Sequence, residues 1–103
     1  MYGYTMRINQ PLETYRALHD AVIEIAGRDV EGLILHFAHA TDEGFAITEI
    51  WQAKEKLDAF NRDVFPRVVE SSGLSLGEDP PEVSEFTPVV VVTPGAYDSD
   101  RAG

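Results

Sequence analysis

Apolar and polar positions alternate in two rhythms along this chain, one of period two and one near 3.6 residues, arranged in successive blocks. Tyr2 to Ile8 alternates loosely and is rich in aromatic and β-branched residues, which predicts a first strand. Asn9, Gln10 and Pro11 then interrupt it; Asn9 or Gln10 suits a helix cap, and Pro11 the first helical position, where its missing N–H costs nothing. Leu12, Tyr15, Leu18, Val22 and Ile25 follow at spacings of three and four, the stripe of an amphipathic helix, with Glu13 at its favourable acidic end and His19 and Ile23 on the flanks. Burying each large apolar side chain is worth about 1.5–3 kcal/mol, so the stripe demands a partner surface. Gly27 is expected to end this helix as a left-handed cap.

Leu33 to Ala40 and Phe45 to Trp51 read as two strands joined by Thr41-Asp42-Glu43-Gly44, with Gly44 expected at positive φ. Two registers fit. A four-residue loop pairs Ala40 with Phe45, setting His36 opposite Glu49 and Ile34 opposite Trp51. A three-residue loop with a bulge at Gly44 pairs Thr41 with Phe45 and brings His39 to the face of Glu49. Lys54 opens a second helix whose apolar positions are Leu57, Phe60, Val64 and Val68, with Phe65 and Val69 at the edge. Pro66 falls inside this pattern, which predicts a kink or break near Phe65 and a short second piece to Ser71, closed by Gly73. Leu74 to Pro81 reads as a loop. Val83 to Val92 reads as a last strand, its unbroken run Val89–Val92 suiting burial on both faces or at an interface. One domain over residues 1–93 is expected, with 94–103 a flexible tail.

The order βαββαβ predicts a ferredoxin-like α+β fold, a four-stranded antiparallel sheet with both helices on one face. Apolar residues occupy both parities of the second and third strands, so the uncovered face is expected to meet a second copy in a homodimer. Composition narrows the function classes. Eight Lys and Arg against eighteen Asp and Glu give a net charge of −10, which disfavours nucleic acid and anionic membrane surfaces as partners. With no Cys, disulfides, thiolate metal sites and a thiol nucleophile are excluded. The N-terminus lacks a basic start with an apolar run, and no apolar stretch approaches about 20 residues, so a cytoplasmic location is expected.

The segment Thr48-Glu49-Ile50-Trp51-Gln52-Ala53-Lys54-Glu55-Lys56-Leu57-Asp58-Ala59-Phe60 resembles the strand-to-helix junction of the dimeric α+β barrel superfamily. With Gly32–Ala38 and Thr41–Phe45 upstream, it resembles an actinobacterial-type branch of the antibiotic biosynthesis monooxygenase-like family. The resemblance implies two sheets closed into a barrel across a dimer, and a cleft between helices and sheet in each subunit. It also implies oxidation of a phenol to a quinone by dioxygen, with no metal or other cofactor. Trp51 would line that cleft. Phe60 stands where the monooxygenases often carry His and the haem-degrading branch Trp, and Glu70 lies near the latter's ligand His. Asn9, at the very end of the first strand, matches that branch's first-strand Asn only loosely. These departures argue against haem degradation and leave the oxygenase reading without its usual reactive side chain.

His36 and His39 are three apart on a strand and point to opposite faces, so they cannot chelate one metal, and no metal site is expected. Either register puts one of them with Glu49. A carboxylate orients a neighbouring imidazole, and such a pair can act as general base toward a phenol. The competing reading is a cross-strand polar pair at the dimer interface, worth about 0.2–1 kcal/mol. Tyr15, His19, Trp51, Phe60 and Asn61 are the candidate ligand-binding residues, Asn61 either bonding to the sheet or orienting a bound oxygen. Two functions follow: cofactor-independent oxidation of a small aromatic compound, or a non-catalytic binding or assembly protein of the same fold. A cleft of about 300 Å³ or more between helices and sheet is the observation that favours a ligand.

Overall fold

The computed structural model describes residues 1–73 and 80–92. Seven elements follow in the order β1 (Tyr2–Ile8), α1 (Leu12–Ala26), β2 (Leu33–Ala40), β3 (Phe45–Trp51), α2 (Lys54–Asp63), α3 (Phe65–Ser72) and β4 (Glu82–Phe86). The strands form one antiparallel sheet in the order β2-β3-β1-β4. This is the ferredoxin-like α+β arrangement that the hydrophobic rhythm predicts. The expected tail 94–103 and residues 74–79 of the expected loop lie outside the described residues.

The hairpin takes the four-residue-loop register: Ala40 pairs with Phe45 and His36 with Glu49. A register shift between Leu33 and Leu35 then makes Leu33, rather than Ile34, the partner of Trp51. At the turn Thr41 and Gly44 bond each other, Thr41 N–H to the Gly44 carbonyl at 2.9 Å and Gly44 N–H to Thr41 Oγ1 at 3.0 Å. Gly44 is not among the glycines at positive φ, which among the described residues are Gly27, Gly32 and Gly73. Its requirement is spatial instead. A Cβ there would meet the Ile8 carbonyl oxygen and stand 2.7 Å from both the N and the O of Gln10.

Pro11 serves as the N-cap of α1, not as its first helical residue, and no side chain of Asn9 or Gln10 caps the helix. Gly27 has φ 77° as anticipated for a terminating glycine, but ψ −169° places it outside the left-handed helical basin. Pro66 does break the second helix: α2 ends at Asp63, and α3 starts at Phe65 with the proline in its first turn. A proline there forfeits no helical bond. Gly73 caps α3 in the left-handed conformation, φ 66° and ψ 17°.

Cross-strand pairing sorts the faces of the sheet. Tyr4, Met6 and Ile8 on β1 share a face with Glu49, Ile47 and Phe45 on β3. That face meets the helices. Ile8, Leu18, Ala21, Phe45, Ile47 and Val68 are its buried core, with Tyr15, Val22, Ile25, Val64 and Phe65 packed around them. On the opposite face lie Thr5, Thr48, Ile50, Leu35, Phe37 and His39, and the Phe86 side chain, which lies against Gly3.

The last strand is shorter than the Val83–Val92 expected, ending at Phe86. Its ladder with β1 runs from Arg7–Glu82 to Gly3–Phe86, and Pro88 two residues on has no N–H to extend it. Val89 and Val90 are therefore neither in a strand nor buried in the single chain, at 93% and 73% exposure.

Candidate functional site

A cleft of about 550 Å³ opens between the helices and the inner face of the sheet. Its walls are mostly apolar, and three of its polar side chains, Tyr4, His36 and Trp51, converge on Glu49. Register explains the convergence. Tyr4 on β1 pairs with Glu49 on β3, and Glu49 pairs with His36 on β2, so three polar side chains form a row across three strands. Trp51, two residues along β3, returns to the same face. Tyr15 reaches down from α1 to complete the group.

The distances are those of one continuous network. His36 Nδ1 is 2.6 Å from Glu49 Oε2. Tyr4 donates its hydroxyl hydrogen to Glu49 Oε1 at 2.5 Å, and Trp51 Nε1–H donates to the same oxygen at 3.0 Å. Tyr15 Oη lies 2.8 Å from His36 Nε2. Burial penalises the Glu49 charge, but the hydrogen bonds from His36, Tyr4 and Trp51 outweigh that penalty and hold the carboxyl below its ordinary range. Burial, then the adjacent Glu49 charge and its hydrogen bond, push the Tyr4 hydroxyl far above its ordinary value. Tyr15 is likewise raised, first by burial and then by Glu49.

Ionised Glu49 accepts only, so Nδ1 of His36 carries the hydrogen between them. In the neutral imidazole Nε2 is then the acceptor and takes the Tyr15 hydroxyl hydrogen. Glu49 is committed to three donors, which leaves His36 as the group of the pair able to accept a proton. The pair can orient and stabilise an imidazolium beside an apolar cleft, the arrangement that general-base chemistry requires.

Of the two histidines, the structure brings His36 to Glu49 and sets His39 on the opposite face, exposed, its ring 6.4 Å from that of Phe37. His19 lines the cleft, exposed, its ring 5.8 Å from Tyr15 and 6.2 Å from His36. Trp51 is 1% exposed and its N–H is spent on Glu49, so it offers the cleft a wall rather than a hydrogen bond. Phe60 packs against it, ring centroids 5.7 Å apart. Asn61 lines the cleft but is exposed and makes no bond to the sheet, contrary to one of its two expected roles. Sequence reasoning gave Tyr4 no role; the available signal was its parity with Met6 and Ile8, but its place opposite Glu49 depends on β1 pairing with β3. Among the described residues no group of three His, Asp or Glu could hold a metal ion. A separate polar hollow of about 530 Å³ at the hairpin end is lined by Arg7, Asn9, Asp42, Glu43 and Glu82 and contains none of these groups.

The chain is similar in structure to several solved proteins. One from Mycobacterium tuberculosis superposes with a TM-score of 0.62 at 18% identity, covering 89% of this chain and 98% of that one. A candidate antibiotic biosynthesis monooxygenase from Bacteroides thetaiotaomicron gives 0.60 at 22% identity, covering 87% and 90%. Another from Deinococcus radiodurans gives 0.59 at 14%, covering 90% and 97%. The fold is thus that of antibiotic biosynthesis monooxygenase-like proteins. No protein-family model and no curated protein sequence matches the chain.

Proposed function

We propose that this protein binds a small aromatic compound between its helices and sheet, and that His36, oriented by Glu49, removes a phenolic proton so that dioxygen can oxidise the ring. The observation that supports this reading is a cleft of about 550 Å³ in whose wall Tyr4, Tyr15 and Trp51 bond to one His–carboxylate pair. Ionising a phenol raises the electron density of its ring, which is what one-ring oxidation by dioxygen needs. The overall change for a phenol with a free para position is phenol plus dioxygen to quinone plus water. One oxygen atom enters the ring and the other leaves as water, so the substrate supplies all the electrons and no external reductant is consumed. The related fold supplies the class of chemistry by analogy only, because chemistry belongs to the site.

Trp51 is the sole tryptophan and lines the cleft, so its fluorescence reports occupancy. With 1-naphthol as probe, wild type should show quenching together with oxygen uptake. His36→Gln should retain binding and lose uptake by about 10²-fold or more, the usual contribution of a positioned base. His39→Gln, altered on the outer face, should change neither. A second reading, a binding protein without catalysis, is favoured by Phe60, which is packed on Trp51 as wall where related enzymes place a reactive side chain. Quenching without oxygen uptake would select that reading, and absence of quenching would overturn both.

The outer face supports a homodimer joined sheet to sheet. Phe37 and Phe86 are 47% and 40% exposed there, and Val89 and Val90 follow just past the end of the sheet. No helix among the described residues is long and apolar enough to cross a membrane.

A further inference from the structure

Among the described residues, the Tyr15 hydroxyl has one hydrogen-bond partner, Nε2 of His36 at 2.8 Å. That nitrogen is the proton acceptor of the proposed base, so Tyr15 already occupies the position a substrate hydroxyl would need. Displacing it is unfavourable. Its ring packs 5.5 Å from Phe45, which is 1% exposed, and joins the residues that surround the core. The His19 ring lies against it on another side, at 5.8 Å with 29° between planes. A side chain held this way keeps its hydroxyl in place at the cleft wall, donating to His36 while its oxygen lone pairs stay free to accept.

We propose that Tyr15 is a catalytic residue, the proton relay through which a phenolic substrate reaches His36. The proposal rests on the reading of His36 as base. In the step, the substrate O–H bond breaks and its proton passes to Tyr15 Oη. In the same motion the original Tyr15 proton passes to His36 Nε2. One O–H bond is lost from the substrate, one is broken and one remade on Tyr15, and one N–H bond forms. The products are a substrate phenolate and an imidazolium facing the Glu49 carboxylate, with Tyr15 unchanged. Tyr15 never accumulates as phenolate, which agrees with a hydroxyl whose ionisation is disfavoured by burial and by the Glu49 charge. The relay also restricts the substrate class: the donor must be a hydroxyl of acidity comparable to a phenol, because an aliphatic alcohol would not yield its proton to a tyrosine.

The test reads ionisation directly and needs no turnover. The probe is 4-nitrophenol, whose anion absorbs in the visible, held at a pH below its own pKa with saturating wild-type protein. Wild type should display the bound anion band. Tyr15→Phe keeps the ring packed on Phe45 and removes only the hydroxyl; it should still quench Trp51 fluorescence but lose the band by about tenfold or more. His36→Gln should lose it as well. An anion band equal or stronger in Tyr15→Phe would overturn the relay and make Tyr15 a plug that competes with substrate. A bound probe that stays protonated in wild type, or an undiminished band in His36→Gln, would instead overturn the reading of His36 as base. No binding at all would overturn the cleft as a ligand site.

Discussion

At the scale of single residues, Glu49 sets the electrostatics of the cleft and also a pH signature of folding. Its carboxyl is held below the ordinary value of 4.5 by donors that are absent in the unfolded chain. A depressed folded pKa contributes stability that is complete above the unfolded value and is lost as pH falls through the lower folded one. Tyr4 has the opposite sign. Its hydroxyl titrates above the ordinary value of 10.0, so its contribution is complete below that value and is lost as pH rises through the folded one. Urea denaturation across pH should therefore show Glu49→Gln with a flatter acid limb below about pH 4.5, and Tyr4→Phe with a flatter limb above about pH 10. At neutral pH Tyr4→Phe should cost about 1.5–3 kcal/mol, the range for a hydrogen bond to a charged acceptor. An acid limb in Glu49→Gln as steep as that of wild type would show that the network contributes nothing to acid sensitivity. The half of this network made by His36 and Glu49 was legible because both residues belong to one hairpin, whose loop length limits the register to two choices. Tyr4 and Tyr15 were not legible as partners. They come from elements whose contacts with the hairpin are set by tertiary packing, and no local pattern encodes them.

At the scale of elements, two local signals had different fates, and both can be weighed by mutation. Pro66 disrupted a helical pattern, and the chain answered by starting α3 at Phe65. Arg67 and Val68 N–H groups both bond to the Val64 carbonyl, at 3.0 and 3.2 Å, in a first turn where residue 66 has no bond to give. Pro66→Ala should thus shift stability by less than about 1 kcal/mol, through the entropy of the unfolded chain. Gly44 was expected to serve its turn through positive φ, yet its real constraint is the backbone of Ile8 and Gln10 against its Cα. Backbone cannot rotate away as a flexible side chain can. Gly44→Ala should therefore lower stability by about 1–3 kcal/mol, the usual cost of overpacking, by prying the hairpin from the end of β1. Thermal denaturation of the two variants decides the comparison, and a Gly44→Ala protein as stable as wild type would refute the close approach. The valine run 89–92 failed as a strand for a related reason. Its pattern is local, but a ladder needs a partner, and pairing with β1 stops at Phe86.

For the molecule as a whole, the two faces of the sheet are unequal: helices cover one, and the other carries exposed Phe37 and Phe86. Even so, Ala46 and Ile50 on that outer face are only 0% and 8% exposed, because β3 lies between two neighbouring strands. The apolar surface left for a second copy is therefore the periphery of the sheet and the valine segment after β4. Charge acts against such an association, since each chain carries −10 and two copies repel. An interface of apolar side chains gains nothing from ion pairs, so added salt screens the repulsion while leaving the attraction intact. At 0.01 M ionic strength the screening length is about 30 Å, comparable to the shorter dimensions of the chain, and at 0.15 M it falls to about 8 Å. Dimerisation should therefore tighten as salt rises, the reverse of an interface built on salt bridges. Sedimentation velocity at micromolar protein over this range of salt reads the trend, and Phe37→Asp should shift the equilibrium to monomer by placing one more negative charge at the edge of the joint. Weakening with salt would assign the contact to ion pairs, and a monomer throughout would remove the homodimer. Because the cleft lies on the opposite face of the sheet, the same variant should bind 1-naphthol as wild type does, which separates assembly from ligand recognition.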